Sequence, residues 1–299
     1  MTAQLINGAE IAAGIRAALA RQTDDMLGRG LLPHLAVLLV GDNPASASYV
    51  RGKVKAGRET GIKVVIHRIE ADLDARLTER RIRDRIDLLN ADPDVHGIIL
   101  QLPLPQEVDA DALLERIDPF KDVDGLHPAN QGRILQGRER FLPATPHGVQ
   151  QLLVRSGNDP AGKNVVIVGR SRLVGMPLAA MLAQKRTGAN ATVTVCHTRT
   201  VDLAAHTRRA DILVAATGRA ATITAEMVRQ GAVVIDVGVN RVDDPTRKRG
   251  YRLAGDVDFE PVAAKAAFIT PVPGGVGPMT VVMLLNNVTR AARMAQQRR

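Results

Sequence analysis

The chain has 299 residues, of which 45% are hydrophobic and only 2% aromatic, and its formal net charge is +9. This composition is typical of a globular protein with an aliphatic core, and the length accommodates two domains. Cys196 is the single cysteine, which excludes an intramolecular disulfide. The N-terminal sequence lacks the pattern of a secretory signal, and no apolar run is long enough for a membrane span. We therefore expect a cytoplasmic protein.

The excess of basic residues, 40 against 31 acidic ones, leaves two classes of partner open. A nucleic acid is one interpretation of a basic chain. However, the basic residues are scattered, and no aromatic residues stand between them to stack on bases. The composition therefore favours a small anionic ligand and a largely solvated basic surface, with no nucleic-acid partner.

The first half of the chain alternates between predicted helices and buried strands. The predicted helices span 8–28, about 45–60 and 73–91. The predicted strands span 34–41, 63–70 and 97–104. In the third helix, the side chains predicted to face inward are Leu77, Ile82, Ile86 and Leu89. The β-α-β-α-β order predicts right-handed crossovers and a parallel sheet, followed by a long loop at 119–132.

A second alternating run begins near residue 147. Its predicted strands span 164–169, 191–197, 211–218, 232–240 and 268–270, with helices between them and a last helix at about 279–296. The chain is therefore predicted to be an α/β protein of two α/β domains. The second is a Rossmann-like doubly wound parallel sheet, with an active-site cleft between the domains. The predicted domains are 1–141, with a C-terminal helix (279–299) that packs back on it, and 142–278.

The strongest single signal is VVIVGRSRLVGMP at 165–177, where a buried strand ends at Gly169 and a helix starts near Val174. Such turns bind the pyrophosphate of a dinucleotide, because glycine lets the backbone approach and the helix N-terminus supplies N–H donors. The spacing G-x-S-x-x-x-G differs from GxGxxG and places Ser171 second and Gly175 last. A plain strand–turn–helix corner can have the same pattern, so that interpretation stays open.

Charge at the predicted nucleotide site favours NADP over NAD. NAD sites usually carry an acidic residue at the end of the second strand, where it binds the ribose 2′-hydroxyl. Here that strand ends in CHTRT, which contains Thr198 and no acid, while Arg170 and Arg172 lie in the phosphate turn. Arginine can bind a 2′-phosphate through two hydrogen bonds, although exposed arginines are also common on ordinary surfaces.

Glycines at further strand ends mark other candidate walls of a ligand cleft, because ligands of such folds lie beyond the carboxyl ends of the strands. The segments are ATG at 216–218, DVGVN at 236–240 and AGDVD at 254–258. Each signal is weak alone. TPVPGGVGPMT at 270–280 is a stronger candidate, because its prolines stiffen the loop and its glycines let a ligand approach closely.

The other candidate site includes the segment SYVRGKVKA, in which Tyr49 and Lys53 share one face of a predicted helix at i and i+4. Most helical lysines are solvated, so the residue types alone favour an ordinary surface. Lys53 could act as a base if burial or a neighbouring cation lowered its pKa. Gln101 at a strand end could orient this lysine. The DVDG segment could bind a heterocycle through Asp122 or Asp124, or could simply form a turn.

Motifs for other chemistry are absent from the sequence. It contains no HExxH, CxxC, GxxxxGK[ST] or GxSxG pattern, so zinc hydrolysis, P-loop phosphoryl transfer and serine-hydrolase chemistry have no support, and no metal is expected. Short-chain dehydrogenases also use a Y-x-x-x-K pair. In those enzymes the glycine-rich turn precedes the pair, whereas here Tyr49 and Lys53 precede Gly169.

Nine segments in order along the chain carry the pattern of a known family. They are VGDNPASASYVRGKVKA, GIILQLPLP, KDVDGLHPAN, TPHG, VVIVGRSRLVGMP, CHTRT, VVIDVGVN, GDVDF and ITPVPGGVGPMT. They resemble the bifunctional methylenetetrahydrofolate dehydrogenase/methenyltetrahydrofolate cyclohydrolase (FolD) family over essentially the whole chain. The resemblance implies two reactions of one-carbon metabolism. NADP oxidises 5,10-methylenetetrahydrofolate to 5,10-methenyltetrahydrofolate, and hydrolysis then gives 10-formyltetrahydrofolate.

The resemblance also implies residue roles. Lys53 is the acid/base, chiefly for hydrolysis, Gln101 assists it, Tyr49 packs against the folate, and Asp124 holds the pterin ring. The residues expected to bind NADP are Gly169, Arg170, Ser171, Arg172, Gly175, Thr198 and Val239. Those expected to bind folate are Tyr49, Lys53, Gln101, Leu102, Asp124, Pro271, Gly274, Gly275 and Pro278. The resemblance also implies a homodimer. A monofunctional dehydrogenase is the closest alternative, and the presence of Lys53 speaks against it.

Overall fold

The structure is a computed structural model that describes residues 2–247 and 250–298. Met1 and Arg299, which the predicted domain boundaries include, lie outside the described residues. By compactness the chain divides into two units. Unit 1 contains Met1–Ala13 and Thr145–Thr280, and unit 2 contains Gly14–Ala144 and Val281–Arg299.

Helices and strands alternate along both units, as the sequence predicts. The helices are α1 (Gly8–Gly28), α2 (Pro44–Glu59), α3 (Ala75–Ala91), α4 (Ala110–Glu115), α5 (Pro128–Leu135), α6 (Ala144–Arg155), α7 (Gly175–Leu182), α8 (Leu203–Thr207), α9 (Phe259–Ala263) and α10 (Val276–Arg298). The strands are β1 (Gln4–Leu5), β2 (His34–Val40), β3 (Lys63–Ile69), β4 (Gly97–Leu100), β5 (Asn164–Val168), β6 (Thr192–Cys196), β7 (Ile212–Ala215), β8 (Val233–Asp236), β9 (Asn240–Asp243), β10 (Tyr251–Ala254) and β11 (Phe268–Ile269). Within the described ranges, no helix is long and apolar enough to cross a membrane.

Unit 2 is built on a parallel sheet in the order β3-β2-β4. The central strand β2 is buried at every position, which explains its continuous apolar sequence. Its carboxyl end lies beside those of its neighbours, with Leu38 opposite both His67 and Leu100. The sequence therefore predicted this parallel sheet correctly, and its topology places the ends of β2 and β4 at one edge.

Helix α3 packs on this sheet through Thr78, Ile82, Ile86 and Leu89. These residues form one stripe, because they recur at helical spacing. The prediction that Leu77 faces inward was wrong, since Leu77 is exposed. It lies about 100° around the helix from Thr78, which takes the inward position although it is polar.

Two predicted boundaries in unit 2 were also wrong. The third strand ends at Leu100 rather than at residue 104, because Pro103 has no N–H for a sheet hydrogen bond. The predicted loop at 119–132 contains the start of helix α5 at Pro128. Proline is well suited to the first turn of a helix, and the Nδ1 atom of His127 accepts a hydrogen bond from the Ala129 N–H at 3.0 Å.

Helix α10 carries a buried amide, Asn287, that binds the loop before α5. Its Nδ2 atom donates hydrogen bonds to the carbonyl oxygens of Val123 and Leu142, both at 2.8 Å. One side chain therefore fixes the backbone on both sides of residues 124–141. Asp124 follows Val123 directly, so this anchor also restrains the position of its side chain.

We expect Asn287→Leu to lower the free energy of unfolding by about 2–3 kcal/mol, because it leaves buried carbonyl oxygens without donors. Urea unfolding followed by circular dichroism measures the effect. Gln296→Leu is the control, because it introduces the same side chain at an exposed position of the same helix. Equal stabilities of the two variants would contradict the assignment of Asn287 as an anchor.

Unit 1 contains a parallel sheet in the order β1-β11-β8-β7-β5-β6 within the described residues. The chain runs from β5 outward to β6 and then returns to the other side of β5 to form β7. This reversal creates a topological switch point at the carboxyl ends of β5 and β7, where doubly wound sheets bind their ligands. The predicted doubly wound parallel sheet is therefore confirmed.

Several short elements of unit 1 were not predicted. Strand β1 has two residues and pairs with β11, which is too short a segment for a periodic signal. The predicted strand at 232–240 ends at Asp236, and Asn240 begins an antiparallel pair, β9 and β10, that was not predicted in this charge-rich segment. The helix predicted between β7 and β8 is only a 3₁₀ turn at Ala225–Met227. Helix α10 begins at Val276, before the predicted start, because Pro278 is tolerated in a first helical turn.

Candidate functional site

The side chain of Lys53 is buried within unit 2, with 9% of its surface exposed. Helix α2 carries it, and its Nζ atom donates a hydrogen bond to Oε1 of Gln101 at 2.9 Å. Gln101 is held at the end of β4, because its backbone N–H donates to the carbonyl of Leu38 at 2.9 Å. Its Nε2 atom donates to the Leu102 carbonyl at 2.7 Å, so the amide is oriented with its oxygen toward the lysine. The structure therefore brings together a lysine and a glutamine that lie far apart in sequence.

Burial pushes both Lys53 and Asp124 toward their neutral forms. Desolvation lowers the pKa of Lys53, and the nearby carboxylate of Asp124 opposes this effect. Desolvation likewise raises the pKa of Asp124, against the attraction of the Lys53 charge and with a smaller contribution from Asp122. A lysine with a lowered pKa can exist as a free amine, which is the form that accepts a proton. The pair can therefore hold and move a proton.

The structure separates the two aspartates of the DVDG segment. Asp122 is buried and accepts hydrogen bonds from the backbone N–H groups of Leu126 and His127, at 3.1 and 2.9 Å. The side chain of Asn130 donates to it as well, at 2.8 Å. Asp122 therefore organises the turn into α5, whereas Asp124 is the aspartate that interacts with Lys53. The turn interpretation of the segment therefore holds for Asp122, and Asp124 stays the candidate for binding a heterocycle.

Tyr49 lies one helical turn before Lys53 on α2 and is 49% exposed. An aromatic ring that is half accessible can stack on a flat ligand, which a fully buried ring cannot do. Leu102 follows Gln101 directly and is half-buried. Unit 2 thus presents the buried Lys53 together with an accessible ring on the same face of α2.

In unit 1, the turn after β5 has the close backbone packing that its glycines predict. Gly169 has a φ of 136°, a conformation that side chains rarely adopt. A Cβ atom there would overlap the carbonyl oxygen of Ala216, at the end of β7. A Cβ atom on Gly175 would overlap the carbonyl oxygen of Gly169 and lie 2.6 Å from its carbon. The N-terminus of α7 therefore lies directly against the turn, as a pyrophosphate site requires.

The polar residues predicted for the nucleotide lie exposed at this end of the sheet. Ser171 Oγ accepts a hydrogen bond from the Val174 N–H at 3.1 Å, which shapes the turn into α7. Arg170 and Arg172 are exposed beside it, and Thr198 is exposed after β6. Val239 is 45% exposed after β8, which is unusual for a valine next to a buried strand. These side chains surround the switch point defined by the strand order.

The loop at 270–275 packs against the start of α1 within unit 1. The Ala9 N–H donates to the carbonyl of Gly274 at 2.9 Å, and a Cβ atom on Gly8 would lie 2.6 Å from the carbonyl carbon of Gly275. Pro271 and Pro278 are half-buried, the latter in the first turn of α10. Sequence reasoning missed Gly8, although its position at the start of a predicted helix gave a signal.

A buried carboxylate, Asp236, ends strand β8 with 2% exposure. Its oxygens accept hydrogen bonds from the N–H groups of Gly238, Asp256 and Val257, at 3.0, 2.9 and 3.0 Å. Desolvation nevertheless raises the pKa of Asp236 to about 6, with a smaller contribution from the charge of Asp256. Sequence reasoning noted the DVGVN and AGDVD segments as weak signals and missed this contact between them.

This pKa predicts a pH dependence of stability. The carboxyl of Asp236 titrates near 3.8 when solvated, so between about pH 4 and about pH 6 the folded state holds a proton that the unfolded state has lost. The stabilisation is complete below about pH 4 and disappears as the pH rises through about 6. We expect the difference in Tm between wild type and Asp236→Asn to fall across this interval in calorimetry. A difference that rises or stays constant would contradict the assignment.

Two family models match the chain. The description of the first is tetrahydrofolate dehydrogenase/cyclohydrolase, catalytic domain, and it matches residues 6–124. The second is the NAD(P)-binding domain of tetrahydrofolate dehydrogenase/cyclohydrolase, and it matches residues 143–296. The first match contains the Lys53 and Gln101 pair, and the second contains the glycine turn after β5.

Individual relatives agree with the family models. The chain is 57% identical to the bifunctional protein FolD of Salinibacter ruber, over 88% of this chain and 86% of the relative. The crystal structure of the bifunctional FolD dehydrogenase/cyclohydrolase of Campylobacter jejuni superposes with a TM-score of 0.90 at 44% identity, covering 97% and 99% of the two chains. The Trypanosoma brucei dehydrogenase-cyclohydrolase, complexed with NADP cofactor and inhibitor, has a TM-score of 0.92 at 37% identity, covering 99% of each chain.

The family resemblance stated from the motifs is therefore confirmed. The two family models cover most of the chain in the order that the sequence motifs predicted. The two models name a catalytic domain in the first part of the chain and an NAD(P)-binding domain in the second. The chain belongs to the tetrahydrofolate dehydrogenase/cyclohydrolase family and is a bifunctional enzyme of folate metabolism that uses a nicotinamide cofactor.

Proposed function

We propose that the enzyme oxidises 5,10-methylenetetrahydrofolate with NADP and hydrolyses the resulting 5,10-methenyl cation to 10-formyltetrahydrofolate. The observation that carries this proposal is the buried Lys53, hydrogen-bonded to Gln101 and adjacent to Asp124. A plain nucleotide-binding protein has no need for a desolvated amine in its other unit. The cyclohydrolase reaction needs a proton acceptor, because its water must lose a proton, and a desolvated amine can serve as one.

Lys53 is proposed as the general base for hydrolysis. Its lowered pKa makes the free amine available, and a bound methenyl cation would favour that form further through like-charge repulsion. The amine accepts a proton from the attacking water as the C–O bond forms. It gives this proton to the ring nitrogen as the C–N bond breaks, while the remaining hydroxyl proton of the adduct is released to solvent and the formyl C=O forms. Gln101 fixes the position of Nζ through the 2.9 Å hydrogen bond, so the amine is already oriented before the reaction.

Asp124 and Tyr49 are proposed to hold the folate. A carboxylate can accept two hydrogen bonds from the amidine-like N–H groups of a pterin ring. That contact would also replace part of the solvation that Asp124 has lost through burial. Tyr49 offers a half-exposed ring for stacking one helical turn away on α2. Leu102 adds an apolar contact beside Gln101.

The glycine turn of unit 1 fits the pyrophosphate of NADP. Gly169 and Gly175 pack so closely on neighbouring backbone that no Cβ atom fits at either position, and the N-terminus of α7 adds N–H donors at this turn. Arg170, Arg172 and Thr198 are proposed to bind the 2′-phosphate. When bound, NADP supplies the hydride acceptor, and the chain contributes mainly alignment and the exclusion of water.

We propose further substrate and nicotinamide contacts from Pro271, Gly274, Gly275 and Pro278. The NADP complex of the Trypanosoma brucei relative supports the choice of cofactor.

The two activities can be measured separately. Purified enzyme should form NADPH from 5,10-methylenetetrahydrofolate, with a kcat/KM for NADP at least about tenfold above that for NAD. In a second assay without any nicotinamide, it should hydrolyse added 5,10-methenyltetrahydrofolate faster than buffer alone. A preference for NAD would overturn the cofactor proposal, and hydrolysis at the buffer rate would overturn the role of Lys53.

We also propose that the enzyme is a homodimer, paired through unit 2. Strand β3 lies at the edge of the three-stranded sheet, and no strand of the described residues pairs with its outer side. Its residues 64–67 are half-buried and include apolar side chains, which suits an edge that another copy covers. Light scattering after size-exclusion chromatography should give twice the mass of one chain. A mass of one chain at micromolar concentration would contradict this proposal.

A further inference from the structure

The carboxylate of Asp256 is fully buried and binds two loops of unit 1. Its Oδ2 atom accepts hydrogen bonds from the backbone N–H groups of Thr217 and Gly218, at 2.5 and 2.9 Å. Its Oδ1 atom accepts a hydrogen bond from Nδ2 of Asn240 at 2.9 Å. Thr217 and Gly218 follow β7, and Asn240 begins the segment that leaves β8. One carboxylate therefore fixes the chain beyond two neighbouring strands.

Asp236 extends this network to a third loop. Its side chain accepts the N–H groups of Gly238 and Asp256, and its own backbone N–H donates to Oγ1 of Thr270 at 2.7 Å. Thr270 is buried and directly precedes the loop that starts at Pro271. The two carboxylates thus connect the carboxyl ends of β7, β8 and β11. These are three strands on one side of the switch point.

The network holds residues that lie at the nucleotide site. Val239 is exposed between Gly238, which binds Asp236, and Asn240, which binds Asp256. Ala216 directly precedes Thr217, and its carbonyl is the atom against which Gly169 packs. A change at Asp256 would therefore displace Ala216, whose carbonyl contacts Gly169 of the phosphate turn, and the exposed Val239.

The packing around the two carboxylates leaves no space for a different arrangement. A Cβ atom on Gly238 would lie 2.6 Å from the Asp256 nitrogen, and one on Gly255 would lie 2.8 Å from Oδ1 of Asp236. Every neighbour that the Asp256 carboxylate binds here is an N–H donor, so both of its oxygens must accept. An amide in this place would turn one acceptor into a donor that faces an N–H group.

We propose that Asp256 and Asp236 are positioning residues for the NADP half of the enzyme. They hold the chain after β7 and Val239 in the geometry that receives the nicotinamide cofactor, without touching the reacting atoms. This inference rests on the proposed function, because it assumes that NADP binds at the switch point. It predicts that loss of the Asp256 carboxylate, whose partners follow β7 and β8, impairs the dehydrogenase selectively and spares hydrolysis, which uses no nicotinamide.

The test compares Asp256→Asn with wild type in both assays. We expect the KM for NADP to rise by about tenfold or more, since a misdirected hydrogen bond to a charged group costs at least that much. The rate of hydrolysis of added 5,10-methenyltetrahydrofolate should stay within about twofold of wild type. Asp211→Asn is the matched control, because Asp211 accepts the Asn164 N–H at 2.9 Å at the opposite end of β7. That variant should leave the KM for NADP unchanged.

The possible outcomes are distinguishable. A wild-type enzyme that forms no NADPH would overturn the proposed function and this inference with it. With an active wild type, an unchanged KM for NADP in Asp256→Asn, or an equal loss of both activities, would overturn the positioning role alone.

If Asp256→Asn does not fold, Asn240→Ala tests the same network, because it removes one donor and keeps both carboxylates. It should raise the KM for NADP about threefold with hydrolysis retained, and no change would count against the inference.

Discussion

Replacing Lys53 with methionine should slow the hydrolysis of 5,10-methenyltetrahydrofolate by about a thousandfold, because a positioned general base contributes about 10² to 10⁴ in rate. Methionine fills a similar volume but carries no proton acceptor of useful basicity. The oxidation step depends mainly on alignment of folate and cofactor, so it should lose less activity. The variant should therefore accumulate the methenyl intermediate when it is supplied with 5,10-methylenetetrahydrofolate and NADP, which absorbance measurements follow directly.

Two further variants separate catalysis from charge. Lys55→Met removes an exposed lysine from the same helix, whose nearest acidic partner, Glu59, lies 3.9 Å away, and it should hydrolyse at the wild-type rate. Lys53→Arg keeps the positive charge but cannot become neutral, so it should be as slow as the methionine variant. In wild type, the rate should fall as the pH decreases through the lowered pKa of Lys53, because only the free amine accepts a proton. Fast hydrolysis by Lys53→Met would remove the basis of this mechanism.

Gly175→Ala should weaken NADP binding by about tenfold or more and lower the free energy of unfolding by about 1–3 kcal/mol. The added methyl group would overlap the carbonyl oxygen of Gly169, and backbone atoms cannot rotate away as a side chain can. The phosphate turn must therefore move relative to α7. Isothermal titration with NADP measures the affinity, and the hydrolysis assay reports whether the protein remains folded.

Gly14→Ala is the control for this substitution. Gly14 lies on an exposed part of α1, and no atom lies within 4 Å of the position that its Cβ would take. Alanine there should stabilise the helix by about 0.5–1 kcal/mol and leave NADP binding unchanged. Wild-type affinity in Gly175→Ala would mean that the turn after β5 does not hold the pyrophosphate.

The parts of the fold that could be predicted are those with local signals. Buried parallel strands such as β2 have continuous apolar sequences, and the glycines of the turn after β5 mark the close backbone packing that the structure has there. Predictions of where an element begins, or of which face is buried, failed where a single residue decided the outcome. The sequence pattern predicts a loop at Pro128, which starts α5, and a core position for Leu77, although Thr78 takes the inward position. Packing on the sheet decided the position of Leu77, whereas the start of α5 depends on the local cap that His127 provides.

The chemistry of the site could not be predicted from residue types. A helical lysine is usually solvated, and the burial of Lys53 depends on Gln101 and Asp124, which come from other elements. The network of Asp236 and Asp256 could not be predicted for the same reason, since most of its donors are backbone N–H groups of loops distant in sequence. Family motifs suggested the lysine because they carry that three-dimensional information. Nothing in the local pattern of GDVDF indicated that its first aspartate holds the chain after β7.

The most direct test follows both products in one reaction. Wild-type enzyme is mixed with 5,10-methylenetetrahydrofolate and NADP, and NADPH and 5,10-methenyltetrahydrofolate are recorded together. We expect NADPH to accumulate with little methenyl intermediate, because the same chain removes it. Formation of NADPH with methenyl product decaying only at its spontaneous rate would contradict a bifunctional enzyme that uses Lys53 for hydrolysis.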